Sequence, residues 1–270
     1  MSDEPLVTIR GLTKRYRRRA AASSAPVEAL AGVDLTIERG RVLALVGESG
    51  SGKSTLARCL VRLEEPTSGE IHYEGTEVCS LRGEALRAFR ERVQLLFQDS
   101  AAALSPRLTA SEIVSEPLEI LGRGDAAQRR RRALELMETV GLSSAEADRR
   151  PLDLSGGQRQ RLAIARALAL KPRLLILDEA FAGLDASIQA QVAAVLQDLR
   201  RREGLTYLCI SHDLALMSVF ADEVAILFEG RIVERAEAAR LFAAPAHFHT
   251  RALVAAVLSV PPLAEATATS

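Results

Sequence analysis

One octet narrows the possible folds of this chain more than any other feature: Gly47-Glu48-Ser49-Gly50-Ser51-Gly52-Lys53-Ser54. It fits the pattern G-x-x-x-x-G-K-[ST]. Glycines let the backbone wrap until successive N–H groups converge, which is how a chain cradles phosphate oxygens. Immediately before it stands Val42-Leu43-Ala44-Leu45-Val46, five apolar residues in a row. That run suits a strand buried on both faces of a parallel sheet. After it, Ser54 to Arg62 has helical character, so the positive end of a helix faces the same anion. Strand, glycine loop and helix together predict a site for a nucleoside triphosphate. Lys53 supplies a mobile charge to the β- and γ-phosphates, and the Ser54 hydroxyl is a hard oxygen suited to Mg2+.

The rest of the chain agrees with such a core. Its 270 residues make one large domain or two small ones and need no disulfide or metal to bury a core. Apolar residues at 48% and charged residues at 26% exclude disordered, collagenous and simple coiled-coil chains. Basic and acidic residues number 35 each, and this neutrality argues against a general binder of polyanions. Cys59, Cys79 and Cys209 form no C-x-x-C pair and read as buried thiols of a reducing cytoplasm. No apolar run approaches the roughly 18 to 20 residues that cross a bilayer. Ala252 to Val260 is too short, and the acidic start Met1 to Pro5 is no secretory leader. A soluble chain is expected, with any membrane role supplied by a partner.

Residues 5–16 and 27–38 read as strands, joined by a basic, small-residue loop that runs from Arg17 to Pro26. Further strands are expected at 70–75 and 93–97. From about Pro106 to Leu170 helical spacing takes over, with Arg129 to Arg132 forming a solvated basic face. Buried strands return at Leu174–Leu177, Tyr207–Ile210 and Val224–Phe228. This order predicts a parallel sheet interrupted by a helical insertion, with residues 261–270 as a frayed tail.

Two more stretches carry chemistry. Leu174-Leu175-Ile176-Leu177-Asp178-Glu179 ends a buried strand in two carboxylates, at the edge where open α/β sheets bind ligands. Asp178 is expected to hold Mg2+ and Glu179 to orient or deprotonate an attacking water. Leu154-Ser155-Gly156-Gly157-Gln158-Arg159-Gln160-Arg161 opens a helix with Ser and two Gly, a second anion seat. One nucleotide does not need two such seats from one chain. The simplest explanation is that the second seat serves the γ-phosphate of a nucleotide bound by another copy.

That octet, between a phosphate loop and an LLILDE strand, resembles the signature of ABC-type ATPases, and the resemblance covers roughly residues 6–260. It implies a P-loop NTPase parallel-sheet core with an N-terminal antiparallel β-subdomain and an inserted α-helical subdomain near 99–165, in one ATPase domain. It implies ATP and Mg2+ held by Gly47 to Ser54 with Thr55, and across the pair by Ser155, Gly156, Gly157 and Gln158 of the facing copy. Gln98 matches the glutamine that touches Mg2+ or the lytic water. Asp185, in Ala182-Gly183-Leu184-Asp185, matches the loop crossing the dimer interface. His212 matches the switch histidine at the γ-phosphate, and Tyr16 the aromatic that stacks on adenine. The remaining histidines, His72, His247 and His249, read as structural.

Leu104-Ser105-Pro106-Arg107-Leu108-Thr109 and the segment Pro245 to Leu253 resemble the peptide and nickel importer branch. Asp99-Ser100 and Glu179-Ala180-Phe181 depart from its usual residues and look like nickel-importer subunits. With no cysteine after Cys209, a C-terminal iron–sulfur cluster is not expected. The implied partners are a second ATPase, as homodimer or sister subunit, two transmembrane permeases and, indirectly, a solute-binding protein. The implied location is peripheral, on the cytoplasmic face of the inner membrane, without nucleic acid. An exporter ATPase, a nucleic-acid-linked ATPase of the same superfamily and a small-molecule kinase are the alternatives.

Overall fold

The computed structural model describes residues 4–16, 26–98 and 103–258. The Arg17–Arg19 run, Asp99-Ser100 and the tail 261–270 lie outside the described residues.

The chain opens with two long antiparallel strands, Val7–Tyr16 (β1) and Val27–Ile37 (β2). The apolar run forms Val42–Val46 (β3), and the helix after the glycine loop is Lys53–Leu60 (α1). Ser68–Tyr73 (β4) and Thr76–Glu77 (β5) then return to pair beside β1, giving a four-stranded antiparallel sheet of order β2-β1-β4-β5. The strand expected at 70–75 therefore belongs to this sheet, not to the parallel one. Gly83–Arg92 (α2) leads into Val93–Leu96 (β6).

The helical stretch comprises Ala110–Ile120 (α3), Ala126–Thr139 (α4) and Gly156–Leu168 (α5). Each begins with a side chain accepting the backbone N–H three residues on: Thr109, Asp125 and Ser155, with Glu112, Gln128 and Gln158 bonding back. These reciprocal caps satisfy orphan donors locally, which is why the helix starts follow from the sequence. The basic run on α4 is more engaged than a solvated face. Arg130 bonds Ser111 and Asp148, Arg129 bonds the Gly124 carbonyl, and Arg132 pairs with Glu135.

The chain then builds Leu174–Asp178 (β7), Ala186–Glu203 (α6), Thr206–Ser211 (β8), Leu214–Phe220 (α7), Glu223–Phe228 (β9), Arg231–Glu237 (β10), Ala238–Ala243 (α8) and Phe248–Leu258 (α9). The second sheet has the order β10-β9-β3-β8-β7-β6. All its neighbouring pairs are parallel except β10 with β9.

Burial explains the near-continuous apolar strands. Alternate residues enter two different cores. Val42, Ala44, Val46, Leu175, Leu177, Tyr207 and Cys209 face the core shared with α3, α4, α5 and α6. Leu43, Leu45, Leu174, Ile176, Leu208 and Ile210 face the core shared with α1 and the antiparallel sheet. Cys59 and Cys209 are buried thiols as expected, whereas Cys79 is half-buried, and all three are free. Among the described residues no helix is long and apolar enough to cross a membrane.

Register fixes the working edge. Val46 pairs with Ser211, Asp178 with Ile210, and Leu96 with Leu177. The C-terminal ends of β3, β6, β7 and β8 therefore finish side by side, and the loops that leave them meet.

Candidate functional site

The glycine loop leaves β3 and is pinned from two sides. A Cβ on Gly47 would stand 2.2 Å from the Leu227 carbonyl oxygen of β9. One on Gly52, at φ +110°, would stand 2.3 Å from the Ala29 oxygen of β2. Neither position admits a side chain, so the octet's glycines are demanded by packing as well as by curvature. Gly230 in the β9–β10 turn donates its N–H to the Ser51 carbonyl at 3.1 Å. The Lys53 ammonium folds back into the loop and donates to the carbonyls of Gly47 (2.7 Å) and Glu48 (2.8 Å). Burial holds it below the usual lysine range, while Glu179 and Asp178 pull the other way. Ser51 Oγ finds no hydrogen-bond partner among the described residues.

The carboxylates arrive at the end of β7. Asp178 is 5% exposed and accepts the Ser54 hydroxyl at 3.2 Å. Burial raises its carboxyl above the ordinary aspartate value, and the Ser54 bond opposes this. Glu179 takes a left-handed backbone, φ +54°, and its N–H donates to the Ile210 carbonyl at 2.9 Å. A non-glycine residue held there costs about 1–3 kcal/mol, which the surrounding sheet must offset. That twist turns its carboxylate toward the end of β8, where Glu179 Oε2 lies 2.8 Å from His212 Nδ1. The Glu179 side chain is 11% exposed and that of His212 70%.

Between these elements opens a cleft of about 590 Å³. Of the residues singled out from the sequence, Ser49, Gly50, Gly52, Lys53, Ser54, Thr55, Gln98, Glu179 and His212 line it. Gly47, Glu48, Ser51 and Asp178 stand behind that lining as its support. Tyr16 sits at the rim, its hydroxyl 3.4 Å from Thr55 Oγ1 and donating to Glu64. Arg58 and Ala29 also line the cleft and were not anticipated. Arg58 was findable: it lies three residues past Thr55 on α1, the spacing that shares one helix face.

The second seat is not part of this cleft. Ser155 caps α5, accepting the Gln158 N–H at 3.2 Å while its own N–H donates to Gln158 Oε1 at 2.8 Å. Ser155 and Gly156 are exposed, and a Cβ on Gly156 would meet nothing within 4 Å. Asp185 caps α6 by accepting the Ile188 N–H at 2.9 Å. A Cβ on Gly157 would lie 3.0 Å from Ile188 Cγ2, so the two helix starts are neighbours. Each chain thus carries a cleft and, apart from it, an open helix end lined by glycine.

A second, apolar groove of about 540 Å³ runs between α2 and β6 on one side and α3 and α5 on the other. Phe97, beside Gln98, lines it with Leu104, Pro117, Ile120 and Leu121, and Ile120 is 72% exposed. Arg123 bridges its two sides through an ion pair with Glu91.

Residues 30–182 match the ABC transporter family. Over 262 residues the chain is 47% identical to a Brucella ovis protein named as a peptide import ATP-binding protein, an alignment covering 97% of this chain and 81% of that one. It is 42% identical over 261 residues to the dipeptide transport ATP-binding protein DppF of Escherichia coli K12, with 96% and 78% covered. In three dimensions it is similar to the dimeric, post-hydrolysis ATP-binding cassette MJ0796 bound to ADP and Pi. The TM-score is 0.78 at 32% identity, over 86% of this chain and 98% of that chain. The family match spans the glycine loop, the second seat and the carboxylate strand, and the chain belongs to the ABC transporter family as its ATP-hydrolysing cassette.

Proposed function

We propose that this chain is the ATPase subunit of a peptide importer, working as one of a facing pair in which each ATP is held by the cleft of one copy and the α5 start of the other. The observation that carries this reading is the separation of the two anion seats within one chain. In this reading residues 6–260 act as a single ATPase domain whose helical part, about 99–165, moves with the nucleotide.

Each residue has a task that follows from its surroundings. Loop N–H groups from Gly47 to Gly52 and the first turn of α1 face the phosphates. Lys53, which donates to two loop carbonyls, exchanges them for phosphate oxygens. Ser54 and Asp178 offer hard oxygens 3.2 Å apart, a donor set that fits Mg2+, which takes few protein ligands and keeps waters and phosphate oxygens for the rest. Gln98 lies in the same lining. When bound there, Mg2+ would draw negative charge from the β- and γ-phosphoryl oxygens. Glu179 orients or deprotonates the attacking water once its carboxylate leaves His212, and His212 turns to the γ-phosphate. Tyr16 carries the base. Ser155, Gly156, Gly157 and Gln158 reach the partner's γ-phosphate, with Asp185 beside them. Catalysis of this kind is positioning and charge stabilisation rather than covalent chemistry.

Coupling to transport follows from the apolar groove. It suits a short apolar segment of a membrane permease, and the Gln98 stretch joins its lining to the nucleotide cleft. Two permeases and a solute-binding protein complete the transporter, with this chain peripheral on the cytoplasmic side. Peptide cargo, rather than nickel, is supported by relatives named for peptide and dipeptide import. The same names favour import over export.

Glu179→Gln tests the assignment. The variant is expected to bind ATP, accumulate as a dimer on size-exclusion chromatography and lose at least about 100-fold in hydrolysis. Normal turnover would refute the role of Glu179. Uptake of a labelled dipeptide by the permease complex in proteoliposomes tests the cargo, and ATP-driven uptake of nickel alone would overturn it.

A further inference from the structure

Glu64 lies just beyond α1 and does not line the cleft, yet three polar side chains, those of Tyr16, Arg58 and Lys14, converge on it. Its Oε2 accepts the Tyr16 hydroxyl. Its Oε1 lies 2.8 Å from Arg58 Nε, and Lys14 Nζ stands 3.7 Å from Oε2. Thr55 closes the group, its hydroxyl 3.4 Å from that of Tyr16. Thr55 and Arg58 both line the nucleotide cleft, so the carboxylate ties the rim aromatic to Arg58, and the Tyr16 hydroxyl itself reaches Thr55.

Lys14 has a second effect. Its ammonium donates to the Glu65 carbonyl at 2.7 Å and sits 5.2 Å over the centre of the Tyr16 ring. A cation held on one aromatic face leaves the other as the free stacking surface. The hydroxyl anchor restrains the ring's remaining torsions. Glu64 is therefore the hub of a pre-set platform, and its charge partly balances two cations that would otherwise repel each other. Burial, then the Glu64 bond, push the Tyr16 hydroxyl above its ordinary pKa.

We infer that Glu64 is a positioning residue for the base of the nucleotide, fixing Tyr16 as the stacking platform and holding Arg58 at the same end of the cleft. The inference rests on the reading that ATP occupies this cleft. It concerns the base end alone, which separates it from any role in phosphate binding or hydrolysis.

The test compares two ligands on the full chain: ATP, and inorganic tripolyphosphate, which lacks the base. Each displaces a fluorescent ATP analogue at equilibrium. Glu64→Gln keeps shape and removes charge. It is expected to weaken ATP by roughly 5- to 20-fold, the scale of a lost base–aromatic stack, and to leave tripolyphosphate within about two-fold. Tyr16→Phe deletes only the anchored hydroxyl and is expected to show the same base-specific loss. The double variant should be no weaker than the worse single one, since the two act as one unit. Equal losses for both ligands would overturn the inference, as would unchanged ATP affinity in either variant. If Glu64→Gln fails to fold, as judged by thermal melting, Tyr16→Phe alone decides. Lys53→Ala separates the two claims: if it weakens neither ligand, the cleft is not the phosphate seat and the underlying reading fails instead.

Discussion

Gly156→Ala isolates the claim that two copies share each nucleotide. In the single chain the added methyl meets no atom within 4 Å, and Gly156 is not among the glycines with left-handed backbone. It is the first residue of α5, so alanine fits the local conformation and narrows the unfolded ensemble. Such a change stabilises by about 0.4–1 kcal/mol. A domain of this size gains about 2–4 °C in Tm per kcal/mol, so melting should rise by about 1–4 °C. The chain's own cleft is untouched, and the ATP affinity of the unpaired chain should stay the same. Yet the methyl would occupy the open space in front of the helix end, where the partner's γ-phosphate is proposed to sit. Losing one backbone donor at a site of developing charge costs about 100-fold or more in turnover. The assay is a melting curve, an ATP titration and steady-state hydrolysis at saturating ATP. A variant more stable than the parent that hydrolyses at the parental rate would refute the shared site. Gly157→Ala would not separate the effects, because its methyl also presses on Ile188 at 3.0 Å.

Asp178→Asn should stabilise the nucleotide-free chain at neutral pH. Burial raises the folded Asp178 pKa, so the folded state takes up its proton before the unfolded state does as pH falls. The parent's stability from this group is present below the unfolded value and lost as pH rises through the folded one. The Asn advantage in Tm is thus expected at pH 7 and should vanish as pH falls toward the ordinary aspartate range; an advantage constant with pH would refute it. Ile120→Glu, at a side chain 72% exposed on the apolar groove, should change stability by less than about 0.5 kcal/mol and leave the isolated chain's ATPase intact. Peptide uptake by the reconstituted transporter should collapse, and unchanged uptake would remove the groove as the permease seat.

What was legible in the sequence was either strictly local or continuously buried. The glycine loop, the S-x-x-Q cap at Ser155 and the apolar runs of β3, β7 and β8 each declare themselves within a few residues. β10 did not, because Arg-Ile-Val-Glu-Arg-Ala-Glu alternates charge along an edge strand and resembles a loop. The Tyr16–Glu64 bond spans 48 residues and the His212–Glu179 contact 33, and no local pattern encodes either.

The second of these contacts is nonetheless determined, through strand register. Asp178 opposite Ile210 and Val46 opposite Ser211 bring Gly47, Glu179 and His212 to one edge. A slip of one residue would move an end by about 3.3 Å and turn every side chain to the other face. In β3 that would trade Ala44 for Leu43 or Leu45 against the helices, and every residue of β3, β7 and β8 is buried. Overpacking of this kind costs about 1–3 kcal/mol per site, repeated along four strands. The spacing of Glu179 and His212 is therefore held by strand residues that do not line the cleft. The division of each strand's side chains between the two cores positions the glutamate against the histidine.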